Sequence, residues 1–274
     1  MPRRILLALL LLASLSWGET FDKPVRRQRV DLGPSPHLLS GWHAHVTCYF
    51  FPNFMVKEVD MGEKGAERLA IVPVTPQSTG KCTRARSKEE KVVSYEDWSG
   101  YFMGVKSGYV FFSSDDGWNG AEPFAIFDAG SGKKLFEDVA KPLQSLNTRK
   151  ADISFTTRPD QAIVMQYLRV VDDDCLILKD PGCWPRMAKK YGLDPATAPD
   201  CRKGSQTSAE YTAQERCSGK KGPPLSACMN KERPLALQQA LDEASVLSYP
   251  VEVELSEKPF VKPTGPAAAC WPAD

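Results

Sequence analysis

Eight cysteines constrain this chain more than any other feature. Cys48 and Cys82 stand alone early, while Cys175, Cys183, Cys201, Cys217, Cys228 and Cys270 crowd the C-terminal part. Their role depends on where the chain goes, and residues 1–18 speak to that. Arg3 and Arg4 precede an apolar run from Ile5 to Ser16, and Ser16 and Gly18 place small residues just before a cut ahead of Glu19. This is the layout of a cleaved secretory leader, and the run is too short to span a bilayer. In an exported protein an even cysteine count reads as disulfides. Cys48 and Cys82, isolated from the rest, are expected to pair. Cys175 and Cys183 flank a short loop and suit a local bridge, which leaves Cys201, Cys217, Cys228 and Cys270 to close the tail. Zinc is a poor match, because no C-x-x-C occurs and the three histidines lie at 37, 43 and 45, far from the Cys-rich tail.

The rest of the sequence reads as mainly β. From Trp42 onward, short runs such as WHAHVTCYFF, FMVKEVD, RLAIVPV, YVFFSS, FAIFD and AIVMQYLRVV are β-branched or aromatic and bounded by Gly, Pro, Asp and Asn. That texture predicts antiparallel meanders folded as a sandwich or an open barrel. A propeller-like meander is the alternative, although FAIFDAGSGKKLFED has no second copy at a blade-like spacing. The organisation expected is a leader at 1–18, an extended, basic N-terminal arm at 19–40, a β domain at 41–175 and a disulfide-stapled extension at 176–274. In that extension CWPRMAKKYGL suggests a short helix, residues 199–228 read as a polar loop, RPLALQQALDEASVL suggests a second helix, and YPVEVELSE returns as a strand with Val251, Val253 and Leu255 on one face.

Candidate chemistry concentrates in SDDGWNGAE. Asp115, Asp116, Asn119 and Glu122 carry oxygen ligands suited to Ca²⁺, with Trp118 beside them. The spacing is not that of an EF-hand, because Gly117 and Ile126 occupy positions that require oxygen ligands. The competing reading makes Asp116-Gly117 and Asn119-Gly120 plain turns, and no cofactor is then expected. His43 and His45 share a strand face and are weak metal candidates. Asp172, Asp173 and Asp174 form a carboxylate run at a strand end. Trp98 and Tyr101 belong to an aromatic-rich segment, where β alternation leaves one face as a possible ligand platform. The P-loop-like QSTGKCT lacks the first Gly and the hydroxyl after Lys. No G-x-S-x-G or H-E-x-x-H occurs.

Removing Arg3 and Arg4 with the leader takes the formal charge from +1 to −1, which gives no overall pull toward nucleic acid. No Asn-x-Ser/Thr sequon occurs, and a bacterial envelope, periplasmic or extracellular, is the expected location. The function expected is non-catalytic, binding a protein or an envelope polymer through an aromatic or acidic surface. A carboxylate-dependent hydrolase of such a polymer is the alternative, and a purely structural envelope protein is the third. Loss of a native bridge from such a domain costs about 2–5 kcal/mol. Reductant should therefore lower the melting temperature of the oxidised protein clearly; an unchanged melting curve would contradict the disulfide framework.

Overall fold

The structure, a computed structural model, describes residues 19–37, 41–75, 80–142 and 152–273. The proposed leader lies outside the described residues. Among the described residues, fourteen strands form two antiparallel sheets, and three helices follow the eleventh strand. The smaller sheet is a meander in sequence order: β1 (Arg26–Pro34), β2 (His43–Phe50), β3 (Phe54–Asp60), β4 (Arg68–Pro73) and β5 (Lys91–Val93). The N-terminal arm therefore enters the sheet as β1. Side chains alternate along these strands. Val46, Cys48, Phe50, Met55 and Val59 take one face and gather around Cys82. The Cys48–Cys82 bridge holds this layer together. So does Lys57, 2% exposed, whose ammonium donates to the carbonyls of Thr83 (3.3 Å) and Ala85 (2.9 Å) and to Glu90 (2.7 Å). A buried cation survives only with such a full set of partners.

The larger sheet contains β6 (Gly100–Lys106), β7 (Tyr109–Ser114), β8 (Glu122–Asp128), β9 (Lys134–Ala140), β10 (Ser154–Thr157), β11 (Ile163–Asp172), β12 (Ser245–Glu254), β13 (Phe260–Pro263) and β14 (Ala269–Pro272). Its order is β6-β7-β8-β9-β11-β12-β13, with β10 also on β11 and β14 also on β12. Val105, Val110, Phe112, Ala125 and Phe127 meet Val56, Leu69, Ile71 and Val93 of the smaller sheet. Phe111, Phe124 and Ile126 point the other way, into a second core with Met165, Tyr167, Leu247, Tyr249 and Val251. Both faces of β7 are thus core, and its aromatics present no exposed platform. The sheets are open, and the strands make no repeated four-stranded blades, so the propeller alternative is not realised among the described residues.

The arm's first residues span the gap between two edges of the larger sheet. Glu19 exchanges backbone hydrogen bonds with Phe155 of β10 (2.8 and 3.0 Å), and the Asp22 amide donates to Val105 of β6 (2.7 Å). Between them the Phe21 ring packs edge-on against Phe111 and Phe155, each at 5.1 Å. Gly104 makes room for it, since a Cβ there would come within 2.5 Å of the ring. The Lys106 ammonium bonds to the Glu19 carboxylate at 2.6 Å.

Three helices lie between β11 and β12: α1 (Cys183–Tyr191), α2 (Cys201–Arg216) and α3 (Pro223–Asp242). Helix α2 corrects the expectation of a loop at 199–228. It is polar almost all round, but Cys201, Ser205, Ala209, Ala213 and Cys217 recur every fourth residue and are all buried. Asp200 caps it, its carboxylate accepting from the Lys203 amide at 3.2 Å. Helix α3 begins earlier than RPLALQQALDEASVL suggests and ends at Asp242, with Ser245 to Leu247 already in β12; it buries Met229, Ala236 and Ala240, while Leu235 faces water. The four bridges are Cys48–Cys82, Cys175–Cys183, Cys201–Cys270 and Cys217–Cys228. Strand β12 pairs with β11 over its whole length, so the cysteine-rich extension completes the larger sheet. No helix among the described residues is long and apolar enough to cross a membrane.

The docked arm makes a testable prediction. Gly104→Ala should destabilise by about 1–3 kcal/mol through the clash with Phe21. In a Phe21→Ala background the same change should cost within about 0.5 kcal/mol of nothing, as for residues that no longer meet. Equal costs in both backgrounds, read from denaturant melts, would contradict the docking.

Candidate binding groove

Helix α2 is pressed against β14. A Cβ on Gly204 would lie 1.8 Å from the Cys270 carbonyl oxygen, so only glycine allows the two backbones this close. The Cys201–Cys270 bridge locks the approach. Beside this seam runs a groove of about 810 Å³. One wall is the α2 face made by Lys203, Thr207, Tyr211 and Glu215, four apart along the helix, with Ser208 and Thr212 alongside. The other wall is the stretch 267–271 together with Lys141. The Lys141 ammonium lies 5.0 Å from the centre of the Trp271 ring. Tyr211 is 70% exposed, a large ring kept in water. The groove therefore offers two aromatic rings, four hydroxyls counting the Tyr211 phenol, and charges of both signs. Of its acids, Asp200 is committed to the α2 cap and Glu215 is exposed.

The acidic stretch reaches this groove from behind. Trp118 and Ala121 exchange backbone hydrogen bonds (2.9 and 2.8 Å) across Asn119 and Gly120, whose φ values are 49° and 70°. Two positive φ values make this a two-residue hairpin turn of the kind Asn-Gly favours. The Asn119 backbone carbonyl accepts from the Trp271 indole N–H at 3.2 Å, and its side-chain Nδ2 donates to the Asp172 carboxylate at 3.3 Å. Trp118 and Trp271 both pack against the cluster of Ala121, Val170 and Val246. The turn thus supports the groove wall that Trp271 provides.

The remaining sequence candidates lie elsewhere. Asp115 accepts from Ser99 and Ser114, each at 3.3 Å, and Asp116 pairs with Lys64. The Trp98 indole N–H donates to the Ser113 carbonyl at 3.1 Å, and the Tyr101 hydroxyl accepts from the Gly65 amide at 3.0 Å. Asp116 and Tyr101 thus reach the β3–β4 turn, while Asp115 and Trp98 tie the segment before β6 to the end of β7. Glu122 is 8% exposed on β8. His43 bonds to Asp31 at 2.7 Å and His45 to Arg29 at 3.1 Å, while Cys48 lies on the opposite face in its disulfide. Asp173 pairs with Lys190 at 3.0 Å. No group of three His, Cys, Asp or Glu among the described residues is placed to hold a metal ion.

Sequence reasoning missed a buried polar network that joins β9 to β11, which share a single register pair, Ala140 with Arg169. The Asp138 carboxylate accepts from Arg169 Nε at 2.9 Å and from the Tyr167 hydroxyl, and Arg169 donates to the Tyr249 hydroxyl at 3.2 Å. Burial pushes the Asp138 carboxyl above its usual range, against the pull of Arg169. Burial and the neighbouring carboxylate both hold the Tyr167 phenol well above its ordinary value. Glu58 is likewise raised by burial, although it accepts from the Phe102 amide at 2.7 Å. Lys57 had a legible signal, since Met55 and Val59 on its own face are apolar. Asp138 and Arg169 are thirty-one positions apart and carry none.

Compared with known proteins, the chain matches no family model, no curated protein and no solved structure.

Arg169→Ala would leave Asp138 buried without its cation and should cost about 2–4 kcal/mol. With the Arg169 charge gone, burial is opposed only by the hydrogen bonds from Tyr167 and Val139, and the folded-state pKa of Asp138 rises further above the unfolded one. The folded state then holds its proton to higher pH, and stability falls as pH rises through that folded pKa. The loss should be larger at pH 8 than at pH 5, and Asp138→Asn should recover part of it. A loss independent of pH would contradict this account.

Proposed function

We propose that the protein is an exported, non-catalytic envelope component that binds an extended, hydroxyl-rich polymer chain, a polysaccharide strand, in the groove between α2 and β14. The observation that carries this reading is Tyr211, held in water opposite Trp271 in a groove pinned by Cys201–Cys270. Aromatic rings offer flat apolar faces with little conformational entropy to lose, and sugar rings carry matching C–H faces. Thr207, Ser208 and Thr212 add hydroxyls along the same wall, suited to hydrogen bonding with a polyol. Export is supported by the leader-like start and the four bridges, which form and persist in oxidising compartments. Glycoside hydrolysis uses two carboxyl groups about 5–10 Å apart across a cleft. In this groove Asp200 serves a helix cap; away from it, Asp115 is bonded to Ser99 and Ser114, and Asp116 pairs with Lys64.

The test is calorimetric titration of the oxidised protein with soluble fragments of envelope polysaccharide. Tyr211→Ala should weaken binding about tenfold, the worth of one stacked ring, and leave the melting temperature unchanged. Undiminished binding by Tyr211→Ala, or no binding by the unsubstituted protein, would contradict the reading.

A further inference from the structure

The first strand of the smaller sheet has one unused edge. β1 pairs only with β2, from Arg26 opposite Phe50 to Pro34 opposite His43, and no described residue pairs with its outer side. Six regular residues, Arg26 to Asp31, precede the register shift between Asp31 and Gly33. Most of the strand is exposed. Such an edge presents a row of main-chain donors and acceptors ready for another strand.

The charge on that edge is mainly positive, three arginines against Asp31, which shares the face of Arg27 and Arg29. Arg27 and Arg29 share one face, and Arg26 lies on the other. The Arg26 guanidinium sits 3.7 Å over the Phe50 ring and that of Arg27 5.3 Å over the Tyr49 ring, while Arg29 bonds to His45 at 3.1 Å. None of the three makes an ion pair with a carboxylate among the described residues. Stacking holds a guanidinium flat while its rim of N–H donors can still face a carboxylate.

We propose that the edge of β1 accepts an extended acidic peptide as a sixth strand, with carboxylates at alternate positions facing Arg27 and Arg29. A second copy of this chain fits poorly, because the antiparallel registers that use most of Arg26 to Asp31 set Arg27 against Arg29 or Arg29 against itself, and like charges directly opposite are destabilising. A neutral strand is repelled less but gains nothing from the arginines. A sulfated polysaccharide could meet the charge, but it leaves the main-chain edge unpaired. Strand addition uses both features: backbone bonds give affinity and alternate side chains give specificity.

The test uses fluorescence anisotropy with the oxidised protein and an eight-residue peptide alternating Glu and Thr. Arg27→Glu/Arg29→Glu should weaken binding at least about tenfold, since two charge pairs become two repulsions. The milder Arg27→Gln/Arg29→Gln should fall between, which guards against a fold defect in the reversal. On the ligand side, the same peptide N-methylated on the amides that would face β1 should lose binding, with the protein unchanged. Equal binding of the N-methylated peptide would overturn strand addition and leave charge alone. So would competition by a heparin fragment that survives N-methylation of the peptide unchanged, or no binding of the Glu/Thr peptide at all.

Discussion

Strands β7 and β8 are buried on both faces, and the rest of the structure hangs on that middle layer. Val110, Phe112, Ala125 and Phe127 fill the space toward the smaller sheet, and Phe111, Phe124 and Ile126 fill the space toward β11, β12 and α1. Fully burying a side chain of this size contributes about 1.5–3 kcal/mol, an upper figure because the unfolded chain already buries some of it. Two-sided burial has a second consequence. Where one face is wet, a slip of one residue exposes the apolar set and is rejected; where both are dry, alternation no longer fixes register. Here local devices fix it. The register shifts between Phe102 and Gly104 and between Ile126 and Phe127, and the Asn119-Gly120 turn sits between β7 and β8.

The sequence showed much of this by its short apolar runs, and the isolation of Cys48 and Cys82 was enough to pair them. Three kinds of feature were harder to read. Helix α2 lacks a broad apolar face, because a close-packed seam against β14 needs small residues, and only the fourfold spacing from Cys201 to Cys217 marks it. The two-sided burial of β7 was ambiguous because Phe111 and Phe112 are equally apolar, so alternation could not say which face met water. The groove joins Tyr211 to Trp271, and its only sequence trace is the bond between Cys201 and Cys270, which spacing alone could not assign.

The two halves of the molecule hold together by different means. The β cores rest on large apolar side chains, whereas α2 and α3 meet through a small set centred on Ala213, Cys217 and Met229. So little apolar area cannot order two helices by itself, and the Cys201–Cys270 and Cys217–Cys228 bridges make up the difference. The groove is therefore rigid where disulfides persist and loosens first where they do not. Under the polysaccharide-binding proposal, the same bridges would hold the binding surface as well as the fold.

Native-state hydrogen exchange of the oxidised protein tests the middle-layer account most directly. The amides of Val110 to Phe112 and Ala125 to Phe127 should be the slowest in the molecule and should exchange only through global unfolding, with the full denaturant dependence of the whole chain. If they exchanged through a smaller opening while amides of β3 or β12 stayed protected, the two cores would be separable, and β7 and β8 would not be what joins them.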